Sequence, residues 1–419
     1  MTAFGEGGRV AIMDGVRTPF VKAGTAFRDL SARDLAVHSV DALLDRFDLA
    51  PEEVDELVLG NVIVDPRAPH IAREVVFASR LPVAARALTV IDNCITGTSA
   101  LSAVMADILT GQARIGIAGG VESMSNPPVL FTPRAARKFV DLAMSRGVGG
   151  RLGALLRLRP RDFWPDPPAL AEPSTGLTMG EHCEIMVKEW SIGRRDQDAL
   201  ACRSHHNAFT ATEDGRLPAE IAPLDGVARD GLIRGDTSVE QLARLRPAFD
   251  RSPSGTITAG NSSPLTDGAA SVLLMSERHA ETAGREPLAF VKAVVNAGID
   301  PADGLLMAPG IAVPRVLDET GLTLADMDVV EMHEAFAGQV LCNLKAWEQG
   351  WKERAIGQVT VQQLNPVGSS IAVGHPFAAT GLRIVTTLAN ELQRRSGRYG
   401  LVSICGAGAT AVAMVIERP

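Results

Sequence analysis

Two thiols and two imidazoles carry the chemistry that this sequence could perform. Cys94 lies in "IDNCITGTSALSAV", where the apolar stretch Leu88 to Ile91 meets a polar turn and then small, helix-compatible residues. A thiol at a helix N-terminus meets the positive end of the dipole and unpaired N–H groups, which favour the thiolate. Gly97, Ser99 and Ala100 leave room for another segment to approach that turn. His375 sits in "SIAVGHPFAATG", and a glycine before it and a proline after it make a turn that presents the imidazole. Histidine is the natural base for a thiol at neutral pH. Cys405 ends the apolar run "YGLVSIC" and opens the glycine-rich "CGAGATA", a place where a second thiol could pass protons beside amide donors. His333 and Glu334 in "DVVEMHEAFAGQ" stand where a strand gives way to a helix, and could orient a water, polarise a carbonyl or serve as a cap. Each of these residues alone also reads as a buried or structural one. Together they offer a nucleophile, a base and a second proton carrier, which is the equipment of covalent acyl transfer.

These residues need elements to hold them, and an internal repeat shows what the elements are. Val40 to Asn61 pairs without gaps against Val313 to Glu334, so that Leu44, Asp45, Leu49 and Asp55 fall on Leu317, Asp318, Leu322 and Asp328. Each copy reads as an amphipathic helix, a short polar turn and a buried strand. The segments around Cys94 and His375 form a weaker second pair, each running from a polar loop through a small-residue helix to an apolar strand. Two such halves predict an α/β fold built by duplication. Residues from about 125 to 255 break the pattern and read as an insertion lying over a site. Within it, 134–161 carries eight basic residues against the single acid Asp141. A solvated helical face, phosphate recognition, a partner subunit and an anionic membrane surface all fit that run.

Composition narrows the class. The chain has 419 residues, too many for one simple core. A net charge of −8, one Tyr and four Trp argue against nucleic acid as a partner. Five scattered cysteines make a poor disulfide framework, and none has zinc-ligand spacing, so no metal is expected. With no secretory signal in view, the expected compartment is the cytoplasm.

"NCITGTSA", "MHEAFA", "NPVGSSIAVGHPFAATG" and "CGAGA" occur in the order seen in the thiolase family, and "GTITAGNSSPLTDGAA" and "STGLTMGEHCE" are similar to thiolase segments too. The resemblance runs from "VAIMDGVRTPF" nearly to the C-terminus. His333, where many thiolases have Asn, resembles the β subunits of fatty-acid β-oxidation complexes. The resemblance implies the thiolase fold, two βαβαβαββ-type halves in five α-β-α-β-α layers. Residues 1–124 with 256–288 would form one half, 125–255 an inserted loop domain, and 289–419 the other half. It also implies 3-ketoacyl-CoA as substrate with coenzyme A as co-substrate and no permanently bound cofactor. Cys94 would be the nucleophile, His375 its base, Cys405 the second acid–base and His333 the holder of a water. The N–H groups of Cys94 and Ala407 would form an oxyanion hole, although many thiolases have glycine where Ala407 stands. Ser263 would contact the pantetheine arm, and Met179 would lie by the acyl pocket. A homodimer or dimer of dimers is implied, with a hydratase/dehydrogenase α subunit and a membrane contact through 134–161 as candidate partners. A biosynthetic acetoacetyl-CoA thiolase, a 3-ketoacyl synthase and a non-catalytic acyl-CoA-binding protein are the rival readings.

Overall fold

The computed structural model describes residues 8–166 and 171–419, so the "PPAL" stretch of the insertion and residues 1–7 lie outside the described residues. The first half runs β1 (Val10–Arg17), α1 (Ala32–Phe47), β2 (Glu56–Gly60), α2 (Ile71–Ala78), β3 (Arg86–Val90), α3 (Thr96–Leu109) and β4 (Ile115–Glu122). An excursion carries α4 (Pro133–Met144), α5 (Gly147–Leu155), α6 (Met179–Glu189) and α7 (Arg194–Glu213) before the chain re-enters the sheet as β5 (Thr266–Ser276). The second half runs β6 (Ala289–Gly298), α8 (Pro309–Thr320), β7 (Met327–Met332), α9 (Ala337–Gln349), α10 (Phe377–Arg395), β8 (Tyr399–Gly406) and β9 (Thr410–Glu417).

The strands lie in the order β3-β2-β4-β5-β1-β6-β9-β8-β7, and β1 pairs with β6 through Val10↔Val291 to join the halves. In the second half the counterpart of β3 shrinks to one parallel bridge, Val330↔Leu364. Alternation along the strands builds the layers. On β5, Val272 and Leu274 face a central core with α3 and α10, while Leu273 and Met275 face α1. On β9, Val412, Met414 and Ile416 face the same central core, while Ala411, Ala413 and Val415 face α8. The result is five layers, with α3 and α10 in the middle.

The repeat legible in the sequence is a repeat of function as well as of pattern. Leu49 N–H closes α1 on Leu44 O at 3.1 Å, and Leu322 N–H closes α8 on Leu317 O at 3.0 Å. The Asp55 carboxylate accepts from the N–H groups of Arg114 and Ile115 at the start of β4, at 2.7 and 3.1 Å. Asp328 does the same for Arg398 and Tyr399 at the start of β8, at 2.6 and 3.1 Å. Each half thus uses one aspartate to pin the strand that follows its central helix.

Candidate active site

Cys94 occupies a single turn, Asn93–Ile95, that links β3 to α3. Asn93 takes a left-handed φ of 48° there, and its side chain donates to Ala407 O at 3.0 Å, tying the turn to the loop after β8. Gly97, the second residue of α3, lets α10 come close: a Cβ at that position would stand 2.4 Å from Ala378 O. The approach brings the head of α10, and His375 just before it, toward the thiol. Gly374 has a φ of +108° and touches Thr266, whose hydroxyl accepts from His375 N–H at 3.1 Å. The glycine and proline around His375 therefore do present the ring as the sequence pattern predicts.

Cys94 Sγ and one ring nitrogen from each of His333 and His375 lie within 4.8 Å of one another. The two rings are 4.1 Å apart between centroids, tilted by 42°. The Nε2 atoms of both histidines are buried with no protein partner. Thr380 donates its hydroxyl proton to Pro376 O at 3.0 Å, so toward His375 Nδ1, at 2.7 Å, it can only accept. The network therefore assigns the His375 proton to Nδ1 and leaves the buried Nε2 as the nitrogen with a free lone pair. Burial, with the nearby Arg383 charge, lowers His375 to about 3, which keeps it a neutral base.

One expectation is overturned. Burial, reinforced by the Glu122 charge, pushes the Cys94 thiol up to about 11, although N–H groups of Ala407 and Cys94 itself oppose the shift. Desolvation outweighs one turn of helix dipole. The resting pair is a neutral thiol and a neutral imidazole.

The Ala407 and Cys94 N–H groups both bear on the sulfur. Alanine at 407 costs no backbone strain, because the left-handed residues of this loop are Gly408, φ 79°, and Ala409, φ 57°. Cys405 ends the same strand inside an apolar cluster with Cys183, Cys342, Met186 and Met307. Burial and the neighbouring Cys94 raise its thiol well above the ordinary value, so it holds its proton. Glu334 is buried and pinned. It accepts from Ser204 Oγ at 2.6 Å, Asn365 Nδ2 at 2.7 Å and Ile371 N at 3.3 Å, which makes it the anchor of the 365–371 loop rather than an acid or base. Ser263 is half-buried beside this group, its N–H donating to Ala335 O at 2.9 Å. Met179 heads α6 and packs against the cluster that holds Cys405. The insertion touches the catalytic loop directly, since Glu172 accepts from Gly408 N–H at 2.9 Å.

Thr380, Ser370, Arg383 and Glu331 did not stand out in the sequence. For Arg383 and Glu331 a signal was present: a charged residue inside each of the apolar runs "GLRIVTTL" and "DVVEM" marks a buried partner network.

The family model for the thiolase N-terminal domain matches residues 10–278, and that for the C-terminal domain matches 285–418. The chain belongs to the thiolase family. A protein named 3-ketoacyl-CoA thiolase from Yersinia enterocolitica is 44% identical over 98% of this chain and 97% of its own length. One of the same name from Shewanella woodyi is 43% identical over the same shares. The crystal structure of an acetyl-CoA acetyltransferase from Bacillus anthracis superposes with a TM-score of 0.87 at 31% identity, covering 98% of this chain and 99% of that one. Among the described residues, no helix of this thiolase is long and apolar enough to cross a membrane.

Proposed function

We propose that this thiolase cleaves 3-ketoacyl-CoA with coenzyme A to acetyl-CoA and a shortened acyl-CoA. The observation that carries the reading is the meeting of Cys94 Sγ with two buried, unpartnered imidazole nitrogens under two N–H donors. His375 Nε2 takes the Cys94 proton, and the sulfur attacks the 3-keto carbon. The oxyanion rests on the N–H groups of Cys94 and Ala407. Collapse breaks the C2–C3 bond, leaves the acyl group on Cys94 and releases the enolate of acetyl-CoA. His375 and a water held by His333 stabilise that enolate oxygen while Cys405 gives the proton. The Cys405 thiolate then takes the proton of the incoming CoA thiol, whose sulfur attacks acyl-Cys94; the Cys94 thiolate leaves, takes back its proton from His375, and the enzyme returns to its first state. No permanently bound cofactor enters these steps, and coenzyme A is a co-substrate.

The test is CoA-dependent cleavage of acetoacetyl-CoA and of a long-chain 3-ketoacyl-CoA. We expect both to be cleaved, and the ratio of the two rates sets the chain-length class. Cleavage of acetoacetyl-CoA alone would move the reading to a short-chain, biosynthetic-type thiolase, and cleavage of neither would end it. A homodimer fits the open edge of β3, where Leu88 and Val90 are half-buried and Ile91 is exposed.

The insertion supports a second contact. Eleven of the nineteen exposed large apolar side chains among the described residues fall between Val129 and Trp164. Helix α4 is tied to the segments on either side of the α4–α5 pair, with Phe139 packed on Phe131 and Phe163 and Lys138 paired with Asp162 at 2.6 Å. Val148, Leu152 and Leu155 on α5, with Leu156 just after it, stay exposed beside Arg146, Arg151 and Arg157. An exposed apolar face ringed by arginines, on an acidic protein, complements an anionic lipid surface. We expect the protein to float with vesicles containing phosphatidylglycerol, not with purely zwitterionic ones, and to detach as salt rises. Replacing Leu152 and Arg151 with glutamate should abolish flotation and leave thiolysis intact. No flotation at low salt would remove the lipid contact, and co-sedimentation with a hydratase/dehydrogenase α subunit would give the face to that protein.

A further inference from the structure

His333 occupies a position that demands one tautomer. With its proton on Nε2 it is a donor toward the water that stabilises the negative enolate oxygen. With its proton on Nδ1 it would turn a lone pair toward that water and toward the free lone pair of His375. An asparagine amide in this place would need no such control, but a histidine does.

The side chains behind it supply the control. His333 Nδ1 lies 2.7 Å from Ser370 Oγ. The Arg383 guanidinium, itself buried, donates through Nη2 to Ser369 Oγ at 3.0 Å and to Ser370 Oγ at 3.2 Å. Arg383 has no proton acceptor to offer, so Ser370 receives from it and must send its own proton elsewhere. Among the described residues the one other partner of that hydroxyl is His333 Nδ1. Ser370 therefore donates to Nδ1, and the ring proton sits on Nε2. Two further groups hold the arrangement in place. Glu331, buried on β7 two residues before His333, has its carboxylate 3.6 Å from Arg383 Nη1. Glu334 fixes the loop that carries Ser370 through Ile371 N–H. The cation of Arg383 also helps hold the His333 ring uncharged, after the larger effect of burial and that of His375.

We propose that Arg383 and Ser370 are positioning residues that hold His333 as the tautomer protonated on Nε2. The effect on rate rests on the thiolase reading above, whereas the tautomer itself does not. Two-bond ¹H–¹⁵N spectra of histidine-labelled protein, with His333 assigned by its loss in His333→Asn, read the tautomer directly. The expected wild-type pattern is a protonated Nε2 and an unprotonated Nδ1. In Ser370→Ala the two shifts should converge as the tautomers mix. The same variant should lose roughly tenfold to a hundredfold in kcat with little change in KM, because the donor matters chiefly in the transition state. Ser370→Thr, which keeps a hydroxyl, should recover the wild-type spectrum and most of kcat. Arg383→Met leaves Glu331 uncompensated and can fail to fold, so it is paired with Glu331→Gln, which removes both charges together. The double variant should also mix the tautomers. A His333 that remains protonated on Nε2 in both Ser370→Ala and the double variant would overturn the proposal. So would a Ser370→Thr protein as slow as Ser370→Ala, since packing rather than the hydroxyl would then be at fault. Loss of thiolysis by the wild-type protein would instead strike the functional reading and leave the spectra to decide this one.

Discussion

Cys94→Ala should lose thiolysis of every 3-ketoacyl-CoA by on the order of 10⁴-fold or more, since removing a covalent nucleophile leaves only binding and oxyanion stabilisation. The measurement is CoA-dependent decay of the 3-ketoacyl-CoA magnesium-enolate absorbance, with wild type and variant at equal folded concentration. Incubating wild type with substrate and little CoA, then quenching in acid, should add one acyl group to the peptide that contains Cys94, and the variant should carry none. A residual rate within tenfold of wild type would show that another atom is the nucleophile. The raised thiol gives a separate signature. With a thiol pushed up to about 11, alkylation of Cys94 in the free enzyme should climb with pH through 7 to 9 without a plateau. A plateau near neutrality would mean that a thiolate–imidazolium pair exists at rest.

How far the sequence reaches can be argued from particular residues. The duplicated halves were legible because Leu44, Leu49 and Asp55 answer local needs that recur at Leu317, Leu322 and Asp328: closing a helix and pinning the next strand. Local needs leave spacing in a sequence. The turn that presents His375 was legible for the same reason, since Gly374 and Pro376 act on their neighbour. The ionisation of Cys94 was not legible. A helix N-terminus can be read from a motif, but the desolvation that outweighs it belongs to the assembled fold, and the Glu122 charge that adds to it arrives from the end of β4. The partners of the two histidines were missed in unequal ways. Thr380 is five residues from His375 and within reach of local reasoning, whereas Ser370 meets His333 across 37 positions and only because Glu334 and Asn365 fold the loop back. The apolar, basic character of 134–161 was visible at once, but only the structure shows that α5 lies exposed with its leucines outward.

His375→Ala should fall nearly as far as the Cys94 variant, because one ring serves twice. Loss of a general base costs roughly 10²–10⁴-fold, and loss of an oxyanion donor roughly 10²–10³-fold. The two losses share a residue and overlap, so we expect about 10³–10⁵-fold in kcat/KM, measured with acetoacetyl-CoA. The wild-type pH profile carries the physical content. An ordinary imidazole would gain a proton near 6.5 and switch off as the base below that pH. Burial lowers His375 to about 3, so protonation of this ring is delayed to far more acid solution, and kcat/KM should show no acid limb from it between pH 7 and 5. On the alkaline side the order is reversed. As pH rises toward 11, Cys94 loses its proton to solvent and needs no base, so the His375→Ala variant should regain attack on the keto carbon. It should not regain the full rate, because the enolate oxygen still lacks its imidazole donor. An acid limb near 6.5 in the wild type that vanishes in the variant would show that the ring titrates freely and that the neutral resting pair is wrong. Recovery of the full rate at high pH would show that His375 acts as a base alone and that the second half of its role belongs to His333.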